Sequence, residues 1–262
     1  MCGLPPSSGK GRSISKGGFT MQILKKCQRK NGNIYGDRQP VIAFTGDSVT
    51  QGCFELYVKP DGNAETVFNA MESYSQKVKE LLAMLYPAAN VTIVNAGISG
   101  NRAPVGFDRL QEDVLSFRPD LTVVCYGLND SNQKAEGLEE YTTALRNIFR
   151  AVRRAGSEVI FMTPNMATDR VDPALTEAPI AAAAAHVSAT VREGWLDTYV
   201  KAARQVCAEE QVPVCDCYAL WQTMQAGGVD VTSLLSNKIN HPTREMHWLF
   251  AYELVKTMFE NP

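Results

Sequence analysis

The sequence predicts an α/β protein built on one parallel sheet with helices on both faces. Three observations carry this expectation. Short apolar runs recur along the chain at Val41-Ile-Ala-Phe-Thr45, Val91-Thr-Ile-Val94, Leu121-Thr-Val-Val-Cys-Tyr126, Glu158-Val-Ile-Phe-Met162 and Val212-Pro-Val-Cys-Asp-Cys-Tyr218. Such runs suit strands covered on both faces. Longer segments with apolar residues three and four apart separate them, so strand and helix alternate, and crossovers of that kind make a parallel sheet. Turn residues cluster just after the first three runs, where open α/β sheets place their ligands.

In chain order, Val41–Thr45 enters Gly46-Asp47-Ser48, and the stretch from Val49 to Glu65, with Pro60 and Gly62, reads as a loop beside it. Phe68, Met71, Tyr74, Val78, Leu81, Leu82 and Leu85 mark an amphipathic helix that Pro87 ends. The second strand leads into Asn95-Ala-Gly97-Ile-Ser-Gly100, and a helix is expected over 107–117. The third strand leads into Gly127-Leu-Asn129-Asp130. Leu138, Tyr141, Leu145, Ile148, Phe149 and Val152 form the next helical stripe, closed by Gly156. Residues 165–193, with Pro173, Pro179 and the run Ala181–Ala185, read as a short helix or an excursion over the sheet edge. A helix from Trp195 to Cys207 precedes the fifth strand. Asn240-His241-Pro242-Thr243 stands before a last helix bearing Met246, Leu249, Phe250, Leu254, Val255, Met258 and Phe259.

With 262 residues, 45% hydrophobic and 21% charged, the chain has the composition of a globular protein with a full core. A net charge of -2 gives no global reason to expect nucleic acid as a partner. Residues 1–40 hold eight Lys/Arg against one Asp, and residues 1–20, rich in Gly, Ser and Lys, read as a disordered leader with no secretory apolar core. Residues 21–262 then form one domain, with Met21 as an alternative start. No segment approaches the ~20 apolar residues that span a bilayer. Seven scattered cysteines fit free thiols in a reducing cytoplasm better than a disulfide framework. Cys215 and Cys217 read as packing residues rather than metal ligands, His186 as structural, and His247 as a packing or surface residue. Asn95-Ala-Gly-Ile-Ser-Gly100 lacks the first glycine and the following acidic residue of a dinucleotide fingerprint.

Ser48, Gly97 and Asn129 follow the first three strands and so fall on one edge, while His241 stands in a loop before the last helix. Acyl transfer needs a hydroxyl nucleophile, an imidazole to take its proton, and donors for the oxyanion. A glycine amide such as Gly97 and a carboxamide such as Asn129 are suitable donors.

Taken in order, Gly46-Asp47-Ser48, Asn95-Ala-Gly97, Gly127-Leu-Asn129-Asp130 and Asn240-His241-Pro242 resemble the four blocks of the SGNH hydrolases, the GDSL-type esterase/lipase superfamily. The resemblance runs from Val41 to Phe259. It implies a flavodoxin-like three-layer α/β/α sandwich around a central parallel sheet of about five strands, with no metal and no cofactor. It also implies Ser48 as nucleophile, His241 as base, and an oxyanion hole from Ser48 N–H, Gly97 N–H and the Asn129 side chain. One feature departs from the family pattern. The aspartate usual three or four residues before the histidine is replaced by Lys238 and Asn237. Asn237 is the expected orienting residue, with a backbone carbonyl as the alternative; Asp216 and Asp230 have no motif in their support.

Family analogy points to a serine esterase that removes a small acyl group, acetate from a carbohydrate above all. A lysophospholipase, a thioesterase and a degenerate binding protein that keeps the pocket are the alternatives, and a glycan or small-molecule ester is the expected partner. Residues 1–20 cannot bury enough apolar surface to offset their ordering entropy. A chain beginning at Met21 should therefore keep both its melting temperature and its kcat/KM; a large drop in either would show that the leader docks on the domain.

Overall fold

In the computed structural model, which describes residues 21–260, the main sheet is five-stranded and parallel. Its strands are β1 (Val41–Gly46), β4 (Thr92–Gly97), β5 (Leu121–Cys125), β6 (Glu158–Met162) and β7 (Val214–Cys215), in the order β4-β1-β5-β6-β7. β2 (Cys53–Val58) and β3 (Ala64–Phe68) make a separate antiparallel pair. Counted among the parallel strands alone, the order is 2-1-3-4-5, the flavodoxin-like arrangement, whose switch point lies between the first and third strands. Ser48 and Asn129 follow those two strands. In register, Gly46 is level with Gly97 on one side and Cys125 on the other, so the loops after the three strands leave from one line.

The sheet is buried on both faces because its side chains alternate between two apolar layers. Ile42, Phe44, Leu121, Val123, Ile160 and Met162 point into one, which packs α1 (Gln22–Gly32), α3 (Tyr74–Leu85), α9 (Cys217–Ala226) and α10 (Met246–Glu260). Ala43, Ala96, Val124, Val159 and Phe161 point into the other, against α4 (Ala103–Asp108), α6 (Leu138–Arg154) and α8 (Trp195–Glu210). α6 shows why such segments are helical. Tyr141, Leu145, Ile148, Phe149 and Val152 form its buried stripe, Glu139 and Glu140 stand in its first turn, and Arg153 and Arg154 in its last. Those charges oppose the macrodipole at each end.

Several elements differ from expectation for local reasons. The stretch 49–65 is not a loop: it holds α2 (Ser48–Gln51), β2 and the turn into β3. The turn is Pro60-Asp61-Gly62-Asn63, with Gly62 at φ 84 and Asp61 Oδ1 accepting from Asn63 N. That is hairpin chemistry between two short strands. Phe68 therefore belongs to β3, and the helix after it begins at Tyr74. The helix expected over 107–117 is broken into α4, α5 (Leu110–Asp113) and a 3₁₀ turn. The fifth strand is cut short because Asp216 accepts a hydrogen bond from Ala219 N and so caps α9. Residues 178–192 are one helix, α7, and α10 begins five residues after His241. Pro242 instead forms an isolated antiparallel bridge with Leu235. The leader expected over residues 1–20 lies outside the described residues.

α1 was not foreseen. It has no side-chain cap of its own; both Glu158 carboxylate oxygens, at the start of β6, accept from its first amides, Gln22 N and Ile23 N, at 2.8 Å. A carboxylate at a helix N-terminus satisfies orphan donors and meets the positive end of the dipole. Glu158→Ala should lower stability by about 0.5–2 kcal/mol, read as a lower midpoint at unchanged slope in urea unfolding.

Candidate active site

Ser48 is the first residue of α2, directly past β1. The turn from strand to helix is tight. Asp47 caps α2 by accepting from Val49 N, and a Cβ on Gly46 would lie 2.1 Å from Thr50 Oγ1. His241 reaches the serine from the loop before α10, with Nε2 3.0 Å from Ser48 Oγ. Its other ring nitrogen, Nδ1, lies 2.9 Å from the carbonyl oxygen of Phe54, on β2. A carbonyl can accept and cannot donate, so Nδ1 carries the proton and Nε2 is left to accept from the serine hydroxyl. The main chain alone thus selects the tautomer.

Asn237 does not face the imidazole. Its Oδ1 accepts from the amides of Ile239, Asn240 and His241, and its Nδ2 donates to Asn240 Oδ1. It shapes the loop that carries His241 rather than orienting the ring. Lys238, at one of the two positions where the family resemblance leads one to expect an aspartate, has a left-handed φ of 58. Asp216 pairs with Arg204, and Asp230 with Arg170, so neither carboxylate serves the histidine.

Asn129 stands in the turn after β5, and one of its two Nδ2 hydrogens goes to the Asn101 carbonyl oxygen at 3.0 Å. Gly97 corrects the sequence reading. Its N–H donates to Asn95 Oδ1 at 3.0 Å, and a Cβ there would lie 2.3 Å from Gln51 N. The glycine is needed so that α2 can press against the end of β4. The free amide is three residues on, at Gly100. That residue lies in a turn closed by Asn101 N on Ile98 O, has φ 75 and is exposed, and its N–H has no partner among the described residues. The second glycine of Gly97-Ile-Ser-Gly100 was the available signal, since a turn with positive φ at its third position asks for glycine. Ser48 N–H is likewise unpaired among the described residues.

Two buried carboxylates hold these loops. Asp130 accepts from Ala103 N and Gly127 N, tying the loop after β4 to the loop after β5, and burial raises its pKa to about 6 against those two hydrogen bonds. Asp47 is raised to about 7, chiefly by burial. His247, read as packing or surface, is fully buried and accepts from Tyr74 N at the start of α3. His186 is exposed on α7. Cys215 and Cys217 bring their sulfurs within 3.7 Å, and the described residues contain no group of three or more potential metal ligands.

Residues 44–249 match the model of the GDSL-like lipase/acylhydrolase family. The chain belongs to that family. Its name describes hydrolases of carboxylic esters. An acetylxylan esterase from Geobacillus stearothermophilus is 32% identical over 133 residues; the match takes in 47% of this chain and 58% of that protein, so less than two thirds of the relative is spanned. A crystal structure of an acetylxylan esterase from the same organism superposes with a TM-score of 0.61 at 24% identity, over 84% of this chain and 94% of that one. A two-domain esterase active on acetylated mannans superposes at 0.64 with 17% identity, over 92% of this chain and 53% of that one. Identities this low in the superpositions speak to the fold, which they share with this chain.

Burial sets the protonation of the histidine. His241 is 5% exposed, and desolvation pushes its pKa down to about 4, against the raising effects of the Phe54 carbonyl and of Glu55. The folded ring binds fewer protons than the unfolded one between pH 4 and 6.5. Its contribution to stability is therefore complete above about pH 6.5 and is lost as pH falls toward 4. Long-range ¹H–¹⁵N spectra should show His241 as the Nδ1–H tautomer at pH 7, titrating near pH 4; a midpoint near 6.5 would mean a solvated ring.

Proposed function

We propose that the protein is a serine esterase that removes a short acyl group, most of all acetate from a carbohydrate hydroxyl. The observation that carries this is the Ser48–His241–Phe54 chain, in which a main-chain carbonyl fixes the tautomer that accepts a proton from the serine. Ser48 Oγ adds to the ester carbonyl carbon while its proton passes to His241 Nε2. The carbonyl π pair moves onto oxygen, facing the amides of Ser48 and Gly100 and the free hydrogen of Asn129 Nδ2. Collapse expels the alcohol, which takes the proton from Nε2 and leaves an acyl-serine. Water then repeats the sequence and releases the acid.

The missing aspartate sharpens the energetics. Protonating the free histidine at pH 7 costs about 4 kcal/mol, three pH units above its pKa at 1.36 kcal/mol each. The imidazolium forms beside a nascent oxyanion, so the pair of opposite charges appears together and the donors stabilise one half of it. Short acyl groups suit the geometry, because Ser48 and His241 are 3% and 5% exposed and leave little of either side chain open to an approaching ester. The sugar rests on the acetylxylan esterase relative. Exposed Phe68 and Met71, close in sequence to Asn69, whose amide bonds Gly52 O beside α2, favour a longer-chain ester as the second reading. Among the described residues six buried cysteines form no disulfide, which supports a reducing compartment such as the cytoplasm. Among the described residues no helix is long and apolar enough to cross a membrane.

Turnover of p-nitrophenyl acetate should exceed that of the butyrate and octanoate esters, and an inverted order would select the second reading. Ser48→Ala should abolish turnover and fluorophosphonate labelling with the fold intact; activity within tenfold of wild type would exclude the mechanism. Asn129→Ala should lower kcat by roughly 10² to 10³ with a smaller change in KM, since the charge it meets develops in the transition state. An effect confined to KM would make Asn129 a substrate contact.

A further inference from the structure

An aspartate orients its histidine through a side chain anchored in the same loop. Here the acceptor is a main-chain oxygen on a different element, 187 residues away in the chain. β2 is not part of the parallel sheet; it pairs with β3 alone. The Phe54 carbonyl therefore stays on the imidazole only if something ties the hairpin to the histidine loop.

One ion pair does so from both sides of the contact. Glu55 follows Phe54 directly, and Arg244 stands three residues past His241. Their side chains meet in a two-point contact, Nη1 on Oε1 at 2.5 Å and Nη2 on Oε2 at 3.0 Å. The same guanidinium lies over the Phe54 ring, 4.3 Å from its centroid. Leu56, next along β2, packs with Ile239, two residues before the histidine, and with Ile180 and Ala184 on α7. The buried Phe54 ring also meets His247, 5.1 Å away. Planar two-point pairing of arginine with a carboxylate adds orientation to attraction, which a lysine cannot reproduce.

We propose that Glu55 and Arg244 are positioning residues: the pair clamps β2 to the histidine loop and so holds the Phe54 carbonyl on His241. The pair takes over, by geometry, the orienting part of the work that an acidic residue does in relatives. It does not take over the electrostatic part. Glu55 favours the charged imidazole, but its charge is matched by the arginine bonded to it. The proposal rests on the reading of Ser48 and His241 as the reacting pair.

Arg244→Met keeps a long apolar side chain over Phe54 and removes the fork, while Glu55→Gln keeps the shape of the carboxylate and removes its charge. Each should lower kcat on p-nitrophenyl acetate roughly 10- to 100-fold, the scale of a misplacement of about 1 Å, with KM within about twofold. The double variant should be no worse than the poorer single one, because both remove one interaction. Arg244→Lys should recover a minor part of the loss. The His241 Nδ1–H resonance should exchange slowly in the wild type and faster in both single variants.

Unchanged or raised kcat in Arg244→Met would overturn the clamp, as would fully additive losses or a loss confined to KM. The imidazole resonance needs no turnover, so it keeps the two readings apart. Wild-type protein with the expected Nδ1–H signal but no esterase activity would defeat the proposed function, and the clamp would then be decided by whether that resonance exchanges faster in Arg244→Met and Glu55→Gln. Active wild type with an indifferent Arg244→Met would do the reverse. If Arg244→Met fails to fold, Glu55→Gln and Arg244→Lys carry the same comparison.

Discussion

A neutral imidazole held between a serine hydroxyl and a main-chain carbonyl is the contact on which the rest of this site depends. It requires three elements that are far apart in sequence. β1 ends at Gly46 and delivers Ser48. The loop before α10 delivers His241, shaped by the Asn237 carboxamide with its three amide donors. The β2–β3 hairpin delivers the Phe54 oxygen. The parallel sheet explains the first of these and nothing of the third. The edge that carries the candidate site therefore comes from a common fold, while the orientation of its histidine comes from an addition to that fold.

This division explains what could be read from the sequence. The strands before Ser48 and Asn129, and the shared edge on which those two residues fall, were legible because an apolar run buried on two faces is hard to mistake, and because a parallel sheet puts every strand end on one edge. His241 was legible from its block. What orients it stays open in the sequence between Asn237 and a backbone carbonyl, and which carbonyl could not be read, since a carbonyl has no residue type and any residue at position 54 would present one. Asn237 drew attention because amides can hold an imidazole; in the structure its oxygen is spent on three backbone amides of its own turn. Gly97 misled for a related reason. A glycine can mark a free amide or a close approach, and the sequence does not distinguish them until the neighbour, here Gln51 N, is known. The hairpin was hidden by its own turn: Pro60 and Gly62 read as loop, although Pro-Asp-Gly-Asn between two short runs is also a reversal between strands.

Burial of the base has a cost that the surrounding groups are arranged to limit. Desolvation lowers the pKa of His241 and raises those of Asp47 and Asp130, so each buried group is pushed toward its neutral form. For the histidine the neutral form is the one that accepts a proton, and burial keeps it ready over a wide pH range at the expense of basicity. An aspartate on Nδ1 would restore basicity; the Phe54 carbonyl raises it without offsetting the desolvation. On the proposed mechanism, the burden of stabilising charge then shifts to the oxyanion side.

That side is braced by a chain of hydrogen bonds reaching away from the serine. With its carboxamide oxygen turned toward Arg109, Asn101 accepts from Nε at 2.8 Å and Nη2 at 3.2 Å, and its main-chain oxygen in turn accepts from Asn129. Arg109 is itself held by Asp113 and by Tyr126, whose hydroxyl meets Thr45 on β1. A donor such as Asn129 contributes most when it is aimed before the charge arrives, because no reorganisation is then spent at the moment of reaction. Asn101 links that donor to a guanidinium already fixed on the sheet, and Asp130 ties the same two loops through Ala103 and Gly127. On the proposed mechanism, the half of the site that would stabilise charge is built on the parallel sheet, and the half that would move the proton is built on the hairpin and the final loop.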